Sequence, residues 1–247
     1  MELETYLDHV RSDAALLLAA AQSDPTARVP SCPEWDTNAL LGHTGKVHHW
    51  VAHILETGAS ERPTRQFGKE VPTDFAACAS WYEDGVVELL DAFAAAEPDG
   101  FVWNWSDGKP APARWWFRRM AHETAAHRWD GQNAVGVPAG IDPELAADGV
   151  DEYLDFVAAD LAAGDIEGVD GFKGSLSLAP TDRDGSWHLH FTPNQLDRTD
   201  DARTSATLTG SVSDLYLWLL RRASVDSPGL KVEGDQSAVS MWDVIKF

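Results

Sequence analysis

The sequence predicts two folded parts of different class: an all-α four-helix up-down bundle over residues 1–138, and a smaller α+β domain over residues 141–247. Three observations lead there. Apolar residues recur at helical spacing through the first half, short alternating runs separated by turn residues take over in the second, and Val137-Pro138-Ala139-Gly140 clusters Pro and Gly between them.

Taken in order, Leu3, Leu7, Val10, Ala14, Leu17 and Leu18 mark a first helix that stops at Asp24-Pro25. A rigid connection follows, Val29-Pro30-Ser31-Cys32-Pro33-Glu34-Trp35, and Asp36 is placed to cap a second helix running to about Thr57. A third helix is expected from Thr73 to Ala96, closed by Glu97-Pro98-Asp99-Gly100. After a loop carrying Trp103 and Trp105, a fourth helix is expected from Ala113 to Ala134. Four amphipathic helices joined by loops suit a bundle.

In the second part a helix from Asp142 to Ala163 ends at Gly164, followed by strands at Gly174–Ala179 and Trp187–Thr192 around the turn-forming Pro180–Gly185. A third strand over Ala202–Thr209, a helix over Ser213–Ala223, a short strand at Leu230–Val232 and a last helix over Gln236–Ile245 complete the reading.

Composition narrows the function. There are 19 Lys and Arg against 40 Asp and Glu, a formal net charge of −21, so binding nucleic acid through bulk charge is excluded and an anionic membrane surface is disfavoured. With 44% apolar residues and 11 Trp, the chain can bury a large core and lies far from the disordered class. The acidic start, MELETYLDHVRSD, lacks the basic end of a secretory signal, and the expected location is cytoplasmic. There Cys32 and Cys78 are expected as free thiols that fill space, since neither has a basic neighbour in sequence to favour a thiolate.

The chemistry concentrates in His122-Glu123-Thr124-Ala125-Ala126-His127 on the fourth helix. Its two His are five residues apart and diverge by about 140°, so the segment is not the zinc-protease pair, whose His are four apart. Glu123 and His127 are four apart and only about 40° apart, which lets one carboxylate oxygen and one imidazole reach a single ion. A third ligand is then needed. The second helix offers His43, His48, His49 and His53. Measured from its stripe of Leu40, Val47, Val51, Ile54 and Leu55, His49 and His53 point to solvent, whereas His43 and His48 border the core on opposite sides. His43 lies near the helix entry and is the preferred third ligand. The plainer alternative is a solvated Glu–His pair worth a few tenths of a kcal/mol beside an ordinary core His. Against it stand the small or apolar neighbours Met120, Ala121, Thr124 and Ala125, among which a carboxylate needs a partner.

Arg221 and Arg222 end an apolar helix. They read either as cations at a helix C-terminus or as a planar fork for a substrate carboxylate.

Ser31–Asp36, Leu40–Trp50 and His122–Asp130, with a looser match over Thr209–Arg222 and Val232–Asp235, resemble the mycothiol-dependent maleylpyruvate isomerase family. The resemblance implies a DinB-like helical bundle followed by a sterol carrier protein-like domain. It implies a divalent metal, most often zinc, on His43, Glu123 and His127, and mycothiol as thiol cosubstrate. It also implies a functional Arg in the second domain. The family pattern there has Gly before a single Arg, so Arg221 and Arg222 both stand as candidates.

The function so implied is attack by a metal-bound thiolate on an electrophile, with maleylpyruvate isomerase-like cis–trans isomerisation. The alternatives are a mycothiol S-transferase acting on other electrophiles, or a non-catalytic protein that binds a small ligand. Expected partners are a small-molecule substrate and the thiol, without nucleic acid or membrane, in a monomer or homodimer.

Overall fold

A computed structural model describes residues 1–63, 70–106 and 109–245. The chain divides into two compact units, Met1–Ala139 and Gly140–Phe247.

The first unit is built on four helices of 21 residues each: α1 (Leu3–Ser23), α2 (Thr37–Thr57), α3 (Phe75–Ala95) and α4 (Arg114–Ala134). Their starts follow the chemistry of the chain. Asp36 accepts from the Ala39 amide at 2.8 Å and Asp74 from the Ala77 amide at 3.1 Å, each satisfying a donor that a helix start leaves open. Between α1 and α2 the proline-rich segment is stitched to itself, Val29 N–H to the Trp35 carbonyl at 3.1 Å and Trp35 N–H to the Cys32 carbonyl at 2.8 Å. α1 packs chiefly on α4, α2 chiefly on α3, and α2 also meets α4. The core gathers Ala14, Leu17, Val29, Leu40, Leu41, Ala79 and Tyr82. Cys78 is buried in the same cluster and Cys32 is half-buried against it, both as free thiols. The Trp-rich loop holds more order than expected: β1 (Phe101–Trp103) pairs antiparallel with β2 (Pro110–Pro112), and Trp116 donates its indole N–H to the Trp103 carbonyl at 2.9 Å.

The second unit opens with α5 (Pro143–Ala163), capped by Asp142 and stopped by Gly164 in the left-handed region at φ 77°. A five-stranded sheet follows: β3 (Gly174–Pro180), β4 (Trp187–Thr192), β5 (Gln195–Thr199), β6 (Ala206–Gly210) and β7 (Lys231–Gly234). The spatial order is β5-β4-β3-β6-β7, with β3 and β6 parallel and the other pairs antiparallel. Leu176, Leu178, Leu189, Phe191 and Leu208 are buried, and Phe172 and Trp242 pack on Phe191 with ring centroids 4.5 and 5.6 Å away. α6 (Val212–Leu219) lies against α5, where Gly149 leaves room for Tyr216; a Cβ at residue 149 would sit 2.4 Å from that ring.

Four expectations are corrected here. The third strand begins at Ala206 rather than Ala202, and β5, which was not expected, pairs with β4. α6 stops at Leu219 rather than Ala223 because the chain turns left-handed at Arg221, φ 63°. The Arg222 amide bonds the Leu217 carbonyl at 2.8 Å and the Arg221 amide the Trp218 carbonyl at 3.0 Å, the paired bonds that close a helix C-terminus. The final helix breaks into α7 (Gln236–Ser240) and a 3-10 turn over Met241–Val244. The last two residues of the expected second domain, 246 and 247, lie outside the described residues. Among those described, no helix is long and apolar enough to cross a membrane.

Candidate metal centre

α4 presents Glu123 and His127 one turn apart, and α2 presents His43 opposite them. His127 Nε2 lies 3.3 Å and His43 Nε2 3.7 Å from the same oxygen, Glu123 Oε1. One ligand atom from each of the three residues falls within 4.8 Å of the others. The His43 and His127 rings stand edge to face at 5.2 Å, and Trp35 covers His43 at 4.6 Å and approaches His127 at 6.4 Å. In the sequence Trp35 belongs to the connecting segment and to the Ser31–Asp36 motif; its position beside two of the three side chains follows from the fold of that segment.

Neighbouring groups hold the trio in place. Asp130, fully buried, faces His127 Nδ1 at 3.0 Å and accepts from the Ser31 hydroxyl on its other oxygen. The carboxylate therefore accepts a hydrogen bond from Nδ1–H and turns Nε2 toward Glu123. Arg119, one turn before Glu123, donates to its second oxygen at 3.4 Å.

Burial alone would raise the Glu123 carboxyl, but hydrogen bonds from His127 and His43 and the charge of Arg119 hold it well below the usual carboxylate range. Burial alone would lower His127, yet bonds to Asp130 and Glu123 raise it to about 9. His48 is the opposite case: burial dominates and lowers it to about 3, so it stays neutral.

Two imidazoles and one carboxylate, each with a donor atom turned to a common point, are the donor set that open-coordinate divalent zinc takes. The residues fit such an ion.

The other histidines of α2 and α4 separate cleanly. His122 is buried with its ring edge-on to Tyr6 at 6.4 Å, on a different face of α4 from His127, as the angular argument required. His49 does not point to solvent as expected. It is buried against α3, with Nδ1 2.8 Å from Glu88 Oε2 and Nε2 donating to the Trp81 carbonyl at 3.0 Å. His53 is half-buried.

In the second unit Arg221 hydrogen-bonds the Ile245 carbonyl at 3.2 and 3.1 Å and Asp243 at 3.1 Å, while Arg222 donates to the Leu220 carbonyl at 2.9 Å. Both line a pocket of about 420 Å³ with Trp218, Ser224 and Asp226.

Residues 7–131 match the family model described as the mycothiol maleylpyruvate isomerase N-terminal domain, and residues 144–240 match the corresponding C-terminal domain. The chain belongs to this family. Among solved structures it is similar to a crystal structure of the mycothiol-dependent maleylpyruvate isomerase, at 14% identity and a TM-score of 0.63, over 95% of each chain. A histidine-to-alanine mutant of that isomerase matches at 14% identity and a TM-score of 0.60, again over 95% of each chain. These two likenesses carry the fold of the whole chain. Comparison with curated proteins gives no match. His43, Glu123, His127 and both arginines lie inside the segments matched to the isomerase family.

Proposed function

We propose that this member of the isomerase family is a metal- and mycothiol-dependent enzyme that isomerises a cis-unsaturated diacid of the maleylpyruvate type. The observation that carries the reading is the approach of His43 Nε2 and His127 Nε2 to one oxygen of Glu123 across two helices. His43, Glu123 and His127 would hold a divalent ion, and two imidazoles with one carboxylate favour zinc. Such an ion, when bound, supplies thiolate at neutral pH by lowering the pKa of a thiol.

The chain's own residues do the rest. Asp130 keeps the His127 proton on Nδ1, which leaves Nε2 for ligation. Arg119 engages the Glu123 oxygen that does not face the histidines and favours ligation through a single oxygen. Addition of the thiol to the cis double bond leaves a single bond; rotation and elimination then give the trans isomer and return the thiol.

In the second unit we assign the substrate-carboxylate role to Arg222. Arg221 occupies the left-handed position that Gly usually takes at a helix end. Arg222 then corresponds to the single Arg that follows Gly in the family pattern, and its planar fork suits a carboxylate. The acidic charge and the two free thiols, Cys32 and Cys78, favour the cytoplasm as its compartment.

The test is turnover of maleylpyruvate by the purified protein with mycothiol, beside Glu123→Ala and Arg222→Ala. Trans product with thiol conserved, lost in both variants, supports the reading. Thiol consumed in proportion to substrate makes the protein an S-transferase instead, and no thiol-dependent turnover overturns the enzyme.

A further inference from the structure

One buried polar pair joins the two helices that carry the three candidate ligands. His48 on α2 is fully buried, and its Nε2 lies 3.0 Å from Thr124 Oγ1 on α4. The Thr124 hydroxyl proton is already given to the Met120 carbonyl at 2.7 Å, so the oxygen accepts from His48 and the imidazole carries its proton on Nε2. His48 Nδ1 then holds a buried lone pair with no hydrogen-bond partner among the described residues. Leaving such an atom unmatched costs stability, and a leucine of similar size would avoid the cost. A polar side chain retained under those terms calls for a reason.

The placement supplies one. Thr124 adjoins Glu123, and His48 lies five residues from His43, about 7.5 Å along the helix axis. Apart from the approach of His43 to Glu123 itself, α4 meets α2 at apolar groups such as Leu40 beside Gly131, a contact with no preferred direction. A metal centre tolerates little: ligand distances must hold within about 0.2 Å. The His48 ring is itself backed by Tyr82 at 5.7 Å, and the Tyr82 hydroxyl donates to the Ala14 carbonyl of α1 at 3.2 Å. The donor therefore stands on a fixed support.

We propose that the His48–Thr124 hydrogen bond sets the axial register of α2 against α4, and so the spacing of His43 from Glu123 and His127. His48 is a positioning residue of the metal centre. The proposal rests on the metal reading above and is separable from it by experiment.

The measurement is zinc affinity by competition with a chromophoric chelator, with thermal unfolding followed on the same samples, for wild type, Thr124→Val, His48→Leu, the double variant and His48→Gln. Removing both polar partners together restores stability close to wild type, because nothing polar is left unmatched. Zinc affinity in the double variant nevertheless stays about tenfold or more weaker, the loss typical of a missing outer-shell partner, while His48→Gln, which keeps a donor near the Nε2 position, recovers most of it. Affinity that returns with stability in the double variant overturns the proposal and leaves His48 as packing. Tight zinc binding unchanged in every variant overturns it as well, with the metal reading intact. A wild-type protein that binds no divalent ion overturns the metal reading and the positioning role together.

Discussion

α2 carries a histidine–carboxylate pair on each of two faces, and the two pairs have opposite prospects. Toward α4, His43 and Glu123 keep side chains 32% and 21% exposed, and two imidazole nitrogens turn toward one carboxylate oxygen. Toward α3, His49 is 1% exposed and both its nitrogens are engaged, one by Glu88 and one by the Trp81 carbonyl. A carboxylate beside a histidine therefore says little by itself. A ligand needs a ring nitrogen that faces other donor atoms and can give up its proton to an ion; His43 and His127 meet that on the α4 side, whereas His49 is closed off by Glu88 and the Trp81 carbonyl.

The sharpest way to break that contrast is to remove ligands. Glu123→Ala or His127→Ala is expected to lower zinc affinity by about 100-fold or more, beyond the range for an outer-shell partner, with thiol-dependent turnover lost alongside; metal analysis after desalting reads it. Asp130→Asn leaves all three ligands but loosens the orientation of His127, and zinc affinity should fall by about 10- to 100-fold.

Perturbing the α3 side should do something different. A Cβ at residue 85 would lie 2.9 to 3.2 Å from the His49 ring, so Gly85→Ala overpacks a closed interface. Denaturant unfolding should show a loss of about 1–3 kcal/mol, with zinc affinity per folded molecule unchanged. A fall in affinity would mean that the two faces of α2 are not independent.

The smallest effect is on pH. His127 in the metal-free protein is raised to about 9 and must lose its Nε2 proton to ligate, so at neutral pH zinc binding releases a proton and apparent affinity rises with pH until about 9. Calorimetry in buffers of different ionisation enthalpy measures the release; binding without it would contradict ligation by His127.

How much of this was legible in the sequence varies with the kind of signal. α2 and α5 announce their starts because Asp36 and Asp142 are strong caps, and α5 its end because Gly164 takes the left-handed turn. The end of α6 was hidden because the left-handed residue there is Arg221, which carries no glycine to mark it. β5 was missed because QLDRT turns only Leu196 inward and reads as a polar loop.

The error over His49 has a clear origin. The helical projection was centred on the large aliphatic side chains, but α2 packs on two neighbours, and its α3 face is built around small residues such as Gly42 and Gly45, which let Val71, Cys78 and Trp81 come close. For the metal centre, the spacing of Glu123 and His127 was readable from helix geometry. The arrival of His43 opposite them was not, because it depends on the register of α2 on α4, which no local pattern encodes. The Asp130 contact was missed although its signal is local, since Asp130 stands three residues from His127 on the same helix; the Trp35 contact depends on how the connecting segment folds.

The central claim is that the α4-facing side of α2 contributes to a metal centre. The most direct measurement is zinc K-edge X-ray absorption on the protein loaded with one equivalent of zinc and desalted. The account predicts two imidazole rings and a carboxylate oxygen at about 2.0–2.2 Å, with the imidazole signal reduced in His43→Ala. Zinc lost on desalting, or a coordination shell unchanged by His43→Ala, would contradict it.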